Sequence, residues 1–171
     1  MMLRRILPLA LGVCLAYPVF GQNRGTADAT INGKKVSVEY GRPSLGGRDF
    51  EKDVLSMASV GMVWRLGMNQ PTSITSAGDL VVGGKTLKAG KYSLWAKKTG
   101  DQTWVLEFHP QVPSWGDPPL TEGFAADTPL KFSKSPTKTE QLTIALAANK
   151  GNADMTISWG DARLSSSFGV K

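Results

Sequence analysis

The sequence has very few thiol and imidazole groups, since its 171 residues contain one cysteine and one histidine. A lone cysteine excludes an internal disulfide framework, and the pair together excludes zinc fingers and other sites built from several Cys and His ligands. After the first 20 residues there is no apolar run of the ~20 residues that a membrane-spanning helix needs. We therefore expect no metal, no cofactor and no membrane span in the mature chain.

The composition excludes several broad classes of protein. Hydrophobic residues make up 41% and charged residues 20% of the chain, which excludes a disordered chain, a collagen and a multi-span membrane protein. The 19 glycines and 10 prolines suit a fold with many turns. The net charge of +6 is modest and spread over many lysines, which is typical of a solvated surface, and we expect no nucleic-acid partner.

Residues 1–21 have the three parts of a signal peptide. Arg4 and Arg5 precede an uncharged apolar run from Ile6 to Phe20, and Gly21 is a small residue before a possible cleavage site at Gln22. The run is too short for a membrane anchor. We do not expect lipid modification of Cys14, because it would need a small residue immediately before the cysteine and Val13 stands there. The sequence predicts a periplasmic or extracellular protein whose mature domain spans 22–171.

Alternating apolar residues predict hairpins in the first half of that domain. Two alternating runs, 27–31 and 36–40, flank Asn32-Gly33, the preferred pair for a type I′ turn, so Ile31 should lie opposite Lys34. A second hairpin has its apolar faces in 92–96 and 104–108, and we expect Ala96 to lie opposite Trp104. Its other face, with Trp95 and Val105, is partly apolar and needs a cover.

The remaining segments complete an all-β pattern. Residues 142–146 and 155–159 alternate around the turn signal 149–152, and 163–170 is a further strand candidate. Shorter candidates are 62–66, 72–76, 79–82 and 128–133, and the Pro-rich segment 111–128 is expected to be a long loop. Only Asp49–Ala58 has helical spacing. We predict a single antiparallel β-sandwich of about ten strands with at most one short helix.

Familiar catalytic and ligand motifs do not fit the sequence. Gly84-Lys85-Thr86 resembles the end of a phosphate loop, but the required first glycine is Asp79. His109 is the only candidate imidazole base, and no serine lies in a G-x-S-x-G motif. A carboxylate pair for glycoside hydrolysis cannot be located from sequence, although several acidic residues are available: Glu107, Asp117, Glu122 and Asp127.

The five tryptophans divide into two groups. Trp104 and Trp159 fall on apolar strand faces and are expected in the core. Trp64 and Trp115 stand in polar or Pro-rich segments, and Trp95 lies on the less apolar face of its hairpin. Exposed aromatic rings beside convergent polar groups are typical of a binding surface for a glycan or another small polar ligand. The alternative is that these rings pack beneath loops.

Several motifs together resemble a known family. They are Tyr40-Gly41-Arg42-Pro43 with a following Gly47-Arg48, Val63-Trp64-Arg65-Leu66-Gly67-Met68-Asn69, the run from Gly83-Gly84-Lys85 to Tyr92-Ser93-Leu94, and Trp115-Gly116. In this order, over nearly all of 22–171, the sequence resembles bacterial secreted proteins known as domain of unknown function 2911. The resemblance implies an exported β-rich domain without an established activity. It also implies that Gln70 stands where other members carry a carboxylate.

The function expected from these observations is non-catalytic binding of a glycan or another small polar ligand. Loops on a rigid β scaffold are where binding groups usually lie. The candidate ligand-binding residues are the following: Arg42, Arg48, Trp64, Arg65, Asn69, Gln70 and Trp115. One alternative is a hydrolase of cell-wall or glycan material that uses His109, Asp117 or Glu107. The other is a structural or protein-interaction module that presents the Trp95/Val105 face to a protein partner.

Overall fold

The structure is a computed structural model, and it describes residues 23–55 and 58–171. The predicted signal peptide, which includes Cys14, lies outside the described residues. In these residues ten strands form one continuous antiparallel sheet: β1 (Arg24–Ile31), β2 (Lys34–Gly41), β3 (Val63–Trp64), β4 (Ser73–Ser76), β5 (Leu80–Val82), β6 (Lys85–Leu87), β7 (Gly90–Lys98), β8 (Thr103–His109), β9 (Ala126–Asn149) and β10 (Asn152–Val170).

The sheet order is β1-β2-β4-β7-β8-β9-β10-β5-β6, and β3 pairs with β7. Every strand pair in it is antiparallel. The all-β class with at most one short helix is therefore confirmed. Because the strands belong to one continuous sheet, the division into the two separate sheets of a sandwich is not confirmed.

The first predicted hairpin is confirmed in its register and its turn. Ile31 lies opposite Lys34 and Ala29 opposite Val36. Asn32 and Gly33 have φ angles of 51° and 73°, the positive pair that a type I′ turn requires. The turn between β9 and β10 has the same form, with φ angles of 47° at Lys150 and 84° at Gly151. In both hairpins the turn residues and the alternating pattern select one register.

The second hairpin has the predicted faces but a different register. Ala96 lies opposite Leu106, and Trp104 lies opposite Lys98, so the expected Ala96–Trp104 pair is wrong by two residues. A shift of two keeps every side chain on its face, because the side-chain period of a strand is two. The hydrophobic pattern therefore could not separate the two registers. The longer turn is closed by N–H groups of Thr99 and Gly100, which donate to the Thr103 carbonyl at 2.8 and 3.2 Å.

The last two strands are longer than the predicted segments. Residues 128–133 and 142–146 are parts of the single strand β9, and 155–159 and 163–170 are parts of β10. The register of this pair shifts on either side of Gly160, whose φ is 63°. An added Cβ at Gly160 would lie 2.5 Å from the Phe50 Cβ. The irregularity lets two long strands bend around the core.

The predicted helix is shorter than expected. One π-helical turn spans Phe50–Leu55, within the predicted 49–58, while residues 56 and 57 lie outside the described range. Asp49 caps the start of this turn, because its Oδ1 accepts the N–H groups of Glu51 and Lys52 at 3.0 and 3.1 Å. The Lys52 N–H in particular holds the pKa of Asp49 below its usual value.

Contacts between β9 and the chain after β2 close the sheet on itself. Ser44 forms an isolated antiparallel bridge with Gln141, and the Leu142 N–H donates to the Pro43 carbonyl at 2.9 Å. The Tyr40 hydroxyl donates to the Ile144 carbonyl at 3.2 Å. The enclosed core includes Trp104 and Trp159, as predicted. Within 23–55 and 58–171, no helix is long and apolar enough to cross a membrane.

Candidate functional site

The segment Arg65–Thr72, which we call the arginine loop, joins β3 to β4 and lies against the end of β2. Its two ends meet where the Thr72 N–H donates to the Arg65 carbonyl at 3.4 Å, and the Thr72 hydroxyl donates to the Leu66 carbonyl at 2.9 Å. Leu66 and Asn69 adopt positive φ angles of 54° and 60°. For a buried leucine this conformation is strained, and such strain persists only where the surroundings hold the backbone in place.

A glycine in β2 allows the arginine loop to approach the sheet. A Cβ added at Gly41 would overlap the carbonyl oxygen of Met68. The reverse contact is also tight, because a Cβ at Gly67 would lie 2.7 Å from the Gly41 carbonyl oxygen. The Tyr40-Gly41-Arg42 motif and the Gly67-Met68-Asn69 motif are therefore packed backbone against backbone. This contact explains why both segments carry glycine.

Two arginines hold consecutive carbonyls of the loop. The Arg65 Nη1 donates to the Asn69 carbonyl at 3.1 Å, and the Arg24 Nη1 donates to the Gln70 carbonyl at 3.3 Å. Arg42, on the chain that leaves β2, makes its contact elsewhere, because its Nε donates to the Leu142 carbonyl of β9 at 3.4 Å. Arg24 is the residue that the sequence analysis missed, since it lies in β1 and reaches the site only through the Arg24–Gly41 pairing of the two strands.

Arg65 also connects the arginine loop to Ser114–Asp117, which we call the tryptophan loop. Its Nη2 donates to the Asp117 carbonyl at 3.4 Å. The tryptophan loop is itself closed, because the Asp117 Oδ2 accepts the Ser114 N–H at 2.7 Å. Trp115 projects from this closed turn with 63% of its surface exposed. A large aromatic ring is thus held in solvent on a loop that Arg65 joins to the arginine loop.

The arginines of these segments carry positive charge without a compensating carboxylate. In the described part of the chain, Arg24, Arg42 and Arg65 donate only to backbone carbonyls, and none has a carboxylate within 4.0 Å. Each guanidinium has five N–H donors, so most of their donors are not used by the protein. Arginine presents such donors in a planar fork that suits carboxylate and phosphate groups.

Four of the seven predicted site residues lie in the two joined loops: Arg65, Asn69, Gln70 and Trp115. The other three are placed elsewhere, and Arg42 contacts β9. Arg48 closes its own turn by donating to the Leu45 and Ser44 carbonyls at 2.8 and 3.1 Å. Trp64 is partly buried in β3, where its ring stacks on Trp159 with centroids 6.3 Å apart.

The β7–β8 face opposite the core is covered by the Pro-rich segment 110–125. Trp95 is fully buried, its indole N–H donates to the Ser93 hydroxyl at 2.8 Å, and that hydroxyl donates to the Gln111 carbonyl at 2.6 Å. The His109 Nδ1 accepts the Gln111 N–H at 2.9 Å. The interaction-module hypothesis needs Trp95 on the surface, and the structure does not place it there. Ser93 and His109 also lack the mutual hydrogen bond of a nucleophile and its base.

Glu107 on the same face is a buried carboxylate with an unusual environment. It is 8% exposed, and its Oε2 has no hydrogen-bond partner. Burial raises the pKa of Glu107 above its usual value, and the facing Asp127 raises it further, while Lys97 opposes both. These are features of a general acid. Glu107 and Asp127, however, line neither the apolar pocket beside Trp64 and Trp104 nor the polar cleft beside Lys131 and Asp154.

A polar cleft of about 450 Å³ lies beside β9 and is lined by residues 154–156 and 165–167 from the two halves of β10. Its walls carry hydroxyl groups together with Lys131 and Asp154. The Asp154 carboxylate accepts the Ser167 hydroxyl at 2.7 Å and the Asn149 amide at 2.8 Å, and these two bonds lower the pKa of Asp154. The cleft has the volume of a small-ligand site. None of the seven candidate ligand-binding residues predicted from the sequence lines this cleft.

The fold and the site thus define a small all-β protein with polar, cationic loops on one rigid scaffold. The chain belongs to the family described as Protein of unknown function (DUF2911), whose model matches residues 22–168. This confirms the resemblance on which the sequence analysis relied. No curated protein and no solved structure matches the chain. In residues 23–55 and 58–171, no three His, Cys, Asp or Glu side chains are grouped to hold a metal ion.

Proposed function

We propose that this protein is a non-catalytic binding domain for a small polar ligand, most simply a glycan that carries acidic groups. One observation carries the proposal: the exposed ring of Trp115 projects from a loop that Arg65 joins to the arginine loop, and neither Arg65 nor Arg24 has a carboxylate partner among the described residues. An aromatic face packs against the apolar face of a sugar ring, and the arginine forks suit carboxylate or phosphate groups. Asn69 and Gln70 add side-chain amides for neutral hydroxyl groups.

The rigidity of the two loops supports the same proposal. Both loops are closed by internal hydrogen bonds and joined through Arg65. Groups that are already held in place lose little conformational entropy when a ligand binds. The strained Leu66 backbone fits a segment whose conformation is retained for a purpose other than stability.

The test is a titration of the purified protein with acidic and neutral oligosaccharides, namely oligogalacturonate, cello-oligosaccharide and peptidoglycan fragments. We expect oligogalacturonate to bind more tightly than cello-oligosaccharide, and its affinity to fall steeply with salt. Trp115→Ala should weaken binding by about tenfold, as expected for a tryptophan at the centre of an interface. Since Trp115 is exposed, the melting temperature should hardly change.

Two control variants make the titration decisive. Val112→Ala removes another exposed apolar side chain of the same Pro-rich segment and should leave affinity unchanged. Asp154→Asn alters the polar cleft, which is the other place where a small polar ligand fits. If Asp154→Asn weakens binding and Trp115→Ala does not, the ligand occupies the cleft and the loop site is wrong. Absence of binding to every oligosaccharide contradicts the glycan proposal itself.

We also propose that the protein is exported and acts in the periplasm or outside the cell. The support is the sequence of residues 1–21 and the family match that begins at residue 22. N-terminal sequencing of the protein recovered from the periplasm or the medium should read Gln22-Asn23-Arg24. An intact N-terminus, or retention in the cytoplasm, would show that residues 1–21 are not a cleaved signal.

A further inference from the structure

The polar cleft lies at the place where β10 leaves its neighbour β9. The ladder between these strands ends at the pair Ser165–Lys131, and β10 pairs next with β5 from Gly169 onward. Between these points the Ser167 hydroxyl donates to the carboxylate of Asp154, in the first half of β10. The cleft therefore lies between three strand segments. It is independent of the proposed glycan site, because no residue of the two loops lines it.

Two side chains of opposite charge line this cleft without an ion-pair partner. Within the described residues, neither Asp154 nor Lys131 has an oppositely charged group within 4.0 Å. The Lys131 ammonium also makes no hydrogen bond there, so its three N–H donors are available. Each Asp154 oxygen accepts one hydrogen bond, from Ser167 or Asn149, and has a lone pair to spare. The same two bonds lower the pKa of Asp154, so this carboxylate is charged at neutral pH.

Three hydroxyl groups of the cleft also lack partners. Thr128 lines the cleft and is only 7% exposed. Its hydroxyl has no hydrogen-bond partner among the described residues, and it is not sealed from solvent. The hydroxyls of Thr156 and Ser165 make no hydrogen bond to that part of the chain either. Because polar groups this deeply placed are usually satisfied, the cleft offers unused donors and acceptors as well as two charges.

Strand geometry sets the distance between the two charges. Lys131 lies directly opposite Ser165, and the bond to Asp154 comes from Ser167, two residues further along the same strand face. Two residues of a strand span about 7 Å. In an α-amino acid the ammonium nitrogen and a carboxylate oxygen are about 3 Å apart, and a hydrogen bond at each end extends this to roughly 8–9 Å. The flexible lysine stem covers the small difference.

We propose that the polar cleft binds a free α-amino acid with a polar side chain. The ligand ammonium would donate to Asp154, and the ligand carboxylate would accept from Lys131. The hydroxyls of Thr128 and Thr156 are available to the ligand side chain, for which a cleft of about 450 Å³ has room. A neutral sugar leaves both charges of the cleft without a counter-charge. A simple anion or cation satisfies one of them and meets a like charge at the other.

The experiment is a calorimetric titration of the purified protein with L-asparagine and L-serine. Two blocked compounds, N-acetyl-L-asparagine and L-asparagine amide, each lack one of the two charges, and glycylglycine carries both at a greater separation. We expect L-asparagine to bind at least about tenfold more tightly than any of these three. Equal affinity for the free and blocked compounds, or no binding of either free amino acid, overturns the proposal without the use of any variant.

Variants then assign the two contacts. Lys131→Met keeps the apolar stem of an exposed side chain and removes its charge. It should weaken L-asparagine by about tenfold and leave L-asparagine amide, which has no carboxylate, unchanged. Asp154→Asn should weaken L-asparagine and leave N-acetyl-L-asparagine, which has no ammonium, unchanged. Since Asp154→Asn also disturbs the bonds to Ser167 and Asn149, its melting temperature is recorded, and Lys131→Met decides alone if this variant fails to fold.

Two further variants are the controls. Lys34→Met makes the same charge change at an exposed lysine that lies outside the cleft and has no ion pair to the described residues, and it should have no effect. If Lys34→Met matches Lys131→Met, the attraction is general electrostatics and the cleft is wrong. Trp115→Ala should leave L-asparagine binding unchanged. Loss of amino-acid binding in Trp115→Ala would place the ligand at the tryptophan loop and would also contradict the proposal.

Discussion

Replacing Gly41 with alanine should destabilise the protein by about 3 kcal/mol and displace the arginine loop. A methyl group at this position overlaps the backbone carbonyl of Met68, and a backbone atom cannot rotate away as the end of a side chain can. Either β2 or the arginine loop must move. Displacement of the loop breaks the contacts that Arg24 and Arg65 make with the carbonyls of Gln70 and Asn69.

The Gly41→Ala variant should therefore show two losses together. The melting temperature should fall by roughly 10 °C, as expected for a loss of this size in a domain of about 150 residues. Oligogalacturonate affinity should fall even at temperatures where the variant is folded. Gly100→Ala is the matched control, because an added Cβ there meets only the Thr103 side chain, at 3.2 Å. A variant as stable as the wild type would mean that the close contact of Gly41 and Met68 is not required.

Local chemistry was sufficient to predict the tight hairpins. Asn32-Gly33 and Lys150-Gly151 both take up the two positive φ angles of a two-residue turn, and each turn fixes a register that agrees with the alternating pattern. Where the turn is longer, as between Lys98 and Trp104, the pattern predicts the faces but not the register. The registers that differ by two residues bury the same side chains, so hydrophobicity alone cannot choose between them.

The candidate site was predictable only in part, because its contacts are made to backbone carbonyls. Arg65 and Trp115 could be singled out as polar or aromatic residues in turns, and the structure brings their loops together through Asp117. The acceptor is a main-chain oxygen, which every residue has, so no residue type in the sequence marks it. Arg24 was missed for a related reason. It lies in a regular strand and reaches the site through the β1–β2 register.

The two cavities were not predictable from sequence. The polar cleft depends on the bend of β9 and β10 near Gly160, which turns two halves of one strand toward each other. The apolar pocket is lined by side chains that lie far apart in the sequence, among them Phe50, Trp104 and Leu164. No local pattern in the sequence shows that such side chains leave a space between them.

Replacing Ser93 with alanine should cost about 3 kcal/mol, although the change removes a single oxygen atom. The Ser93 hydroxyl accepts the indole N–H of Trp95 and donates to the Gln111 carbonyl, so both bonds are lost together. Trp95 is fully buried, and its N–H would remain without a partner. The loss of the Gln111 contact should also loosen the Pro-rich segment, which hydrogen exchange at the amides of 111–117 would detect as faster exchange.

A double-mutant cycle with Trp95→Phe separates this explanation from simple loss of packing. Phenylalanine has no N–H, so Ser93→Ala in that background leaves no indole donor unsatisfied and should cost less by about 1–2 kcal/mol. Ser73→Ala is the control, since Ser73 is also buried and lies directly opposite Ser93 on β4, and its hydroxyl makes no hydrogen bond to the described residues. Additive effects of Ser93→Ala and Trp95→Phe would show that the two side chains act separately. A positive coupling shows instead that the Ser93 hydroxyl satisfies the buried indole N–H of Trp95, and the hydrogen-exchange result then reports separately on its bond to Gln111.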